Sequence, residues 1–156
     1  MQMWELVARE RIRDTLALYN WSGDSGRIED LTQSFCPDGE LEVRGTATAT
    51  GRAAIAQFLG GVTAPPVDTA ASAVITSGVK RIVRHTLTNI RFTELTPERA
   101  QVSSYFTVFT EIGLDHYGRY RDVFTPVGDD WLIAHRFVST DWRAPNSTMA
   151  PPSSVS

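Results

Sequence analysis

The first apolar repeat in the chain has a helical period. At 100° per residue, Trp4, Ala8, Ile12, Leu16 and Tyr19 fall on one stripe, which predicts a helix from about Gln2 to Trp21. Ser22 and Gly23 are expected to break it just before Asp24. Ile28, Leu31 and Phe35 give the core side of a second helix over Arg27 to Phe35, and Cys36-Pro37-Asp38-Gly39 reads as a stop and turn. From Glu40 to Arg44 the pattern changes to strict alternation, the mark of a half-buried strand, and Gly45 to Thr50 reads as a hairpin or an irregular return. A third helix is predicted over Gly51 to Leu59, with Ile55, Phe58 and Leu59 inward and Gly60-Gly61 as its stop.

Val62 to Val79 has two adjacent prolines, many small residues and one charge. It is long for a loop in a compact domain, which makes it a candidate lid. Beyond it the pattern is that of strands: Lys80 to Glu94, Glu98 to Ile112, Tyr117 to Thr125 and Trp131 to Trp142. Turn residues separate them at Thr96-Pro97, Gly113-Leu114-Asp115 and Gly128-Asp129-Asp130. Four long strands joined by short turns make an antiparallel meander, against which three helices can pack on one face. The predicted class is α+β: a curved antiparallel sheet capped by N-terminal helices, enclosing a cone-shaped cavity suited to a small molecule. The domain is expected over residues 1–142, with a flexible tail over 143–156 that a neighbouring subunit could borrow.

Composition narrows the function. The 156 residues suffice for one domain with a full core, and 42% hydrophobic with 21% charged residues is an ordinary globular balance. A net charge of −3 with scattered Lys and Arg argues against nucleic-acid and anionic-membrane partners. No apolar run reaches the roughly 20 residues of a membrane helix. The N-terminus does not read as a signal peptide, so a cytoplasmic location is expected. The single Cys36 rules out an internal disulfide and a thiolate metal cage, and three dispersed histidines do not suggest a metal site. Nucleotide-binding loops, serine-hydrolase elbows and zinc-peptidase motifs are missing, and no cofactor is expected.

Candidate chemistry rests on a few residues. Asp24 suits two roles, N-cap of the next helix or part of a site. His85 alternates with Leu87 and Asn89 on one strand face, as a satisfied core group or as a pocket wall. Tyr19 ends the buried stripe of the first helix, with its hydroxyl at the rim or in a pocket. Tyr120 and Asp122 share a face that points either into the cavity or out. His116 is expected at the surface or rim, His135 in the core or a subunit interface, and Arg119 and Arg121 on the outer face.

The order of elements and several segments resemble the SnoaL-like branch of the nuclear-transport-factor-2-like superfamily. These are LVARERIRDTLALYNWSGDSGRIEDLTQSFCPDGELEV (6–43), GRAAIAQFL (51–59), RHTLTNIRF (84–92), and HYGRYRDVF with the later WLIAHR, so that the resemblance spans about residues 5 to 142. The site pattern is similar to that of scytalone dehydratase, bacterial bile-acid dehydratase and hexachlorocyclohexane dehydrochlorinase, in which a His aided by an Asp removes a proton as water or chloride leaves. The resemblance implies that Asp24 and His85 carry this role, with Asn89 beside His85 and Tyr19 five residues before the Asp. The arginine and lysine that hold the halide in the dehydrochlorinase have no counterpart, which counts against chloride loss. The expected function is a cofactor-independent lyase or isomerase acting on a small, apolar, cyclic substrate. His85 is its general base, Asp24 orients that base, and Tyr19, Tyr120 and Asn89 hold a substrate oxygen. Two alternatives stand beside it. One is a non-catalytic binding or accessory module; the other is a limonene-type epoxide hydrolase, for which Asp122 with an arginine is the candidate set. A homo-oligomer is expected, trimer ahead of dimer.

Overall fold

The computed structural model describes residues 1–63 and 82–149. Helix α1 (Met3–Asp24) is followed by a short α2 (Ile28–Thr32), strands β1 (Phe35–Val43) and β2 (Ala47–Thr50), and helix α3 (Arg52–Thr63). Strands β3 (Arg84–Leu95), β4 (Ala100–Thr110), β5 (Gly113–Val127) and β6 (Asp130–Arg143) complete the domain. The strands form one curved, unclosed sheet in the order β2-β1-β6-β5-β4-β3. The expected meander is present from β3 to β6. The first strand then joins β6 in parallel, pairing Phe35 with Ile133 and Val43 with Val138. Most of the residues expected as a lid, 64–79, lie outside the described residues.

The core follows the predicted stripe. Ala8, Ile12, Leu16 and Tyr19 on α1 are buried against the sheet with Leu31, Phe35, Leu41 and Ile55. Polar side chains fix the layers: Thr15 Oγ1 donates to the Trp131 carbonyl at 2.7 Å, and Arg52 Nη2 donates to that of Phe35 at 2.7 Å. An alcohol and a guanidinium thereby satisfy backbone oxygens.

Several boundaries differ from the sequence expectation. Helix α1 does not break at Ser22-Gly23 but runs to Asp24. A Cβ on Gly23 would lie 3.1 Å from Leu31 Cδ1, so this glycine serves the close approach of α1 to α2 rather than a helix end. Helix α3 continues through Gly60-Gly61. The Cys36–Gly39 turn sits inside β1, where its chemistry produces an irregularity: between Phe35 and Glu40 the strand advances five residues while β6 advances two.

Bulges set the facing of the sheet. On β3 the pairing slips between Thr88 and Arg91, where Asn89 has φ 53°. On β5 it slips between Leu114 and His116, leaving Asp115 as the extra residue. On β6 it slips between Ile133 and His135, leaving Ala134 extra. An extra residue moves every later side chain to the other face.

Candidate active site

Helices α1, α2 and α3 and the concave side of the sheet enclose a cavity of about 880 Å³. Leu31, Leu41, Phe58, Phe106, Val138 and Met149 supply apolar walls, and the polar lining includes Tyr19, Asn20, Asp24, His85, His116 and Tyr120. The size and the mixture suit a small, mostly apolar ligand gripped at a few polar points.

Asp24 and His85 meet at the edge of this cavity. Asp24 Oδ1 is 2.6 Å from His85 Nδ1, and Asp24 Oδ2 accepts the backbone N–H of His85 at 2.9 Å. Both carboxylate oxygens are thus committed to one residue 61 positions away. The capping alternative fails on the same geometry, since Arg27 occupies the N-cap of α2 and no side chain among the described residues caps it. An ionised carboxylate beside Nδ1 places the proton there and leaves Nε2 as the basic nitrogen. The His85 side chain is 19% exposed and that of Asp24 11%, so the pair is sheltered without being sealed.

A second carboxylate–imidazole pair stands on β5. His116 Nδ1 is 2.6 Å from Asp115 Oδ1. Sequence reading put His116 at the surface or rim; it is instead buried and lines the cavity. The turn that precedes it is Glu111-Ile112, and Gly113 already begins β5. The bulge then allows both Asp115 and His116 to turn inward, which strict alternation forbids. Burial pushes the His116 imidazole below its usual range, against the hydrogen bond and charge of Asp115, while His85 and Arg143 reinforce the lowering. Burial would raise Asp115, but hydrogen bonds from Ser147, His116 and Thr148 outweigh it and hold the carboxyl below the usual carboxylate range.

Tyr19 and Tyr120 form the cavity floor, their rings edge to face at 6.1 Å. Beneath them lies Arg136, fully buried, its Cζ 4.1 Å from the Tyr19 ring centroid and 4.0 Å from that of Tyr120. Asp122 neutralises it through two parallel bonds of 2.8 Å. Burial raises both phenols despite the opposing charge of Arg136, so they remain neutral donors. Desolvation would lower Arg136, but Asp122 outweighs it and keeps the group charged.

Two expected substrate contacts are corrected. Asn89 is exposed and does not line the cavity, because the β3 bulge transfers the inward positions from His85 and Leu87 to Ile90 and Phe92. Asp122 does not line it either, because Arg136 takes both of its oxygens. The Asp122–arginine set named for an epoxide hydrolase therefore exists as a pair but does not open on the cavity. His135 lies on the outer side with Glu42, 2.9 Å away, because the β6 bulge moved the inward position to Arg136. Arg119 faces outward as expected and pairs with Asp141.

Sequence reading also missed Asn20, which lines the cavity with a buried Oδ1 that has no hydrogen-bond partner among the described residues. Its place one residue after Tyr19, at the end of the buried stripe, was the available signal. Among the described residues no three His, Cys, Asp or Glu side chains converge to hold a metal ion, and no helix is long and apolar enough to cross a membrane.

Comparison with known proteins agrees with this architecture. A family model described as a SnoaL-like domain matches residues 4–137. An NTF2-like protein with a cystatin-like fold from Novosphingobium aromaticivorans is 27% identical, with a TM-score of 0.67 over 90% of this chain and 86% of its own. A candidate scytalone dehydratase from the same organism is 23% identical, with a TM-score of 0.70 over 94% and 96%. ActVI-ORFA from Streptomyces coelicolor is 18% identical, with a TM-score of 0.69 over 85% and 96%. No curated protein matches the chain.

Proposed function

Because the chain belongs to the SnoaL-like domain family, whose model spans most of its length, we propose that it is a cofactor-independent lyase or isomerase of the dehydratase kind. The observation that carries this reading is the 2.6 Å contact of Asp24 with His85 at the wall of an apolar cavity. His85 Nε2 takes a proton from a carbon acidified by a neighbouring carbonyl or ring. Asp24 fixes the tautomer and stabilises the imidazolium that forms. The neutral phenols of Tyr19 and Tyr120 donate to the substrate oxygen on which charge develops. The protonated His85 then returns its proton to the departing hydroxyl or to the rearranged carbon, while His116, also on the cavity wall, accepts a hydrogen bond from a substrate hydroxyl at Nε2. The substrate is a largely apolar cyclic molecule that carries a carbonyl or hydroxyl oxygen. The non-catalytic alternative would be favoured by a cavity lacking an Asp–His contact, and this cavity has one.

The test is turnover of cyclic ketones, hydroxy-ketones and hydroxylated polycyclic acids by the parent and two variants. His85→Ala should abolish turnover with little change in Tm. Asp24→Asn should lower kcat by ~10²–10⁴-fold with a smaller change in KM, because an amide nitrogen beside Nδ1 favours the wrong tautomer. Parent-like turnover in both variants refutes the reading.

A further inference from the structure

After β6 the chain does not leave the body of the domain. The Ala144 N–H donates to the Asp115 carbonyl at 2.7 Å, and Ala144 is buried. Ser147 Oγ then donates to Asp115 Oδ1 at 2.7 Å and the Thr148 backbone N–H to Oδ2 at 3.0 Å. Thr148 Oγ1 lies 3.4 Å from the same Oδ2, and Thr110 Oγ1 lies 3.3 Å from it. The next residue, Met149, packs on the core and forms part of the cavity wall. Asp115 itself has no exposed surface. One buried carboxylate therefore holds the 144–149 strap and, through Oδ1, the ring of His116.

We propose that Asp115 makes this strap and His116 one unit. Ser147 and Thr148 act as positioning residues for the imidazole, and Met149 sets the shape of the ligand that reaches it. A carboxylate with no exposed surface needs several donors to stay ionised, and the strap supplies most of those that His116 does not. With them in place the oxygen facing Nδ1 is charged and fixed, so the ring proton stays on Nδ1 and Nε2 is left unprotonated. With the strap unseated, the carboxylate meets water and can rotate, and the ring loses its fixed tautomer. The same event withdraws Met149 from the cavity wall. The chain would thereby couple the shape of its cavity to the state of a titratable group inside it. The inference rests on the proposed reading only in giving His116 a ligand to face.

The experiment uses the ligand-free protein, so the failure of any substrate reading leaves it intact. Long-range ¹H–¹⁵N spectra report the tautomer of each histidine, and ¹³C-methyl spectra report Met149. The parent should show His116 with widely separated ring-nitrogen shifts, proton on Nδ1, and a Met149 methyl displaced from its free-chain position. In Ser147→Ala/Thr148→Val the His116 nitrogens should converge and the Met149 methyl should collapse to the free-chain position, with His85 unchanged. Ser147→Thr/Thr148→Ser, which keeps both hydroxyls, should restore the parent spectra. Release of Met149 with His116 unaltered would mean that the strap is packing alone and overturns the coupling. Movement of His116 with Met149 still in place overturns it equally, as does a parent whose Met149 methyl is already free.

Discussion

At the residue scale, Arg136 couples stability to the site. Its charge is buried between two phenol rings and, among the described residues, is balanced by Asp122 alone. Removing one member of a buried pair strands the other, so Arg136→Met should cost about 3–5 kcal/mol in urea denaturation. Adding Asp122→Leu should recover much of that loss while turnover stays low, because Tyr19 and Tyr120 have lost the cation that positions their rings. Recovery of both stability and turnover would make the pair merely structural. His116 gives the second prediction at this scale. Its folded pKa lies below its ordinary value, so the unfolded chain binds the proton more readily. Stability from this group is full above the unfolded value of about 6.5 and is lost as pH falls from there through the folded value. Asp115, also depressed, adds a further loss at lower pH, below an unfolded value of about 3.9. The Tm advantage of the parent over His116→Gln should therefore shrink as pH drops below about 6.5, and a constant difference would contradict the assignment.

At the scale of the element, the tightest point is Gly118 on β5. A Cβ there would fall on the Ser139 carbonyl oxygen and within 2.8 Å of Phe106 Cζ. Neither the β6 backbone nor the packed ring has room to yield, so Gly118→Ala should destabilise at the upper end of about 1–3 kcal/mol. Since Phe106 contacts both His116 and Tyr120, turnover should fall with it. An unchanged Tm would show that β5 and β6 separate more easily than their register implies. The same strands show what sequence could and could not reveal. The α1 stripe was legible because five residues recur at a helical period, and it led to Tyr19, whereas the choice of Asp24 as a site residue over a helix cap came from the family resemblance. His85 was legible because it precedes the β3 bulge, where alternation still holds. Asn89 and His116 were misplaced because each lies at or after an inserted residue, and His135 left the core face for the same reason. A bulge has no distinctive residue of its own: Asp115 and Ala134 look like ordinary strand positions until pairing is known. Arg136 was hidden for the same reason, since one more residue in β6 reverses its face.

At the scale of the molecule, the outer face of the sheet carries Tyr105, Phe109, Leu114, Tyr117 and Trp142, each 39–51% exposed, with the Tyr117 and Trp142 rings stacked at 5.5 Å. Pairing across β4, β5 and β6 puts these five on one surface. Contiguous aromatic area of this kind marks an association face. We propose self-association through it, trimer ahead of dimer. Sedimentation at micromolar concentration should show an oligomer that Tyr117→Lys/Trp142→Glu dissociates without loss of fold, and a monomeric parent would refute it. The parallel seam between β1 and β6 has a different kind of consequence. Phe35 must meet Ile133, so the first third of the chain finds its partner only near the end of the domain. A ribosome adding roughly 5–20 residues per second needs on the order of 5–20 s to travel from β1 to the end of β6. Through that interval the nascent helices and the β1–β2 hairpin have no completed sheet to rest on, and their apolar sides stand open to chaperones and to neighbouring nascent chains.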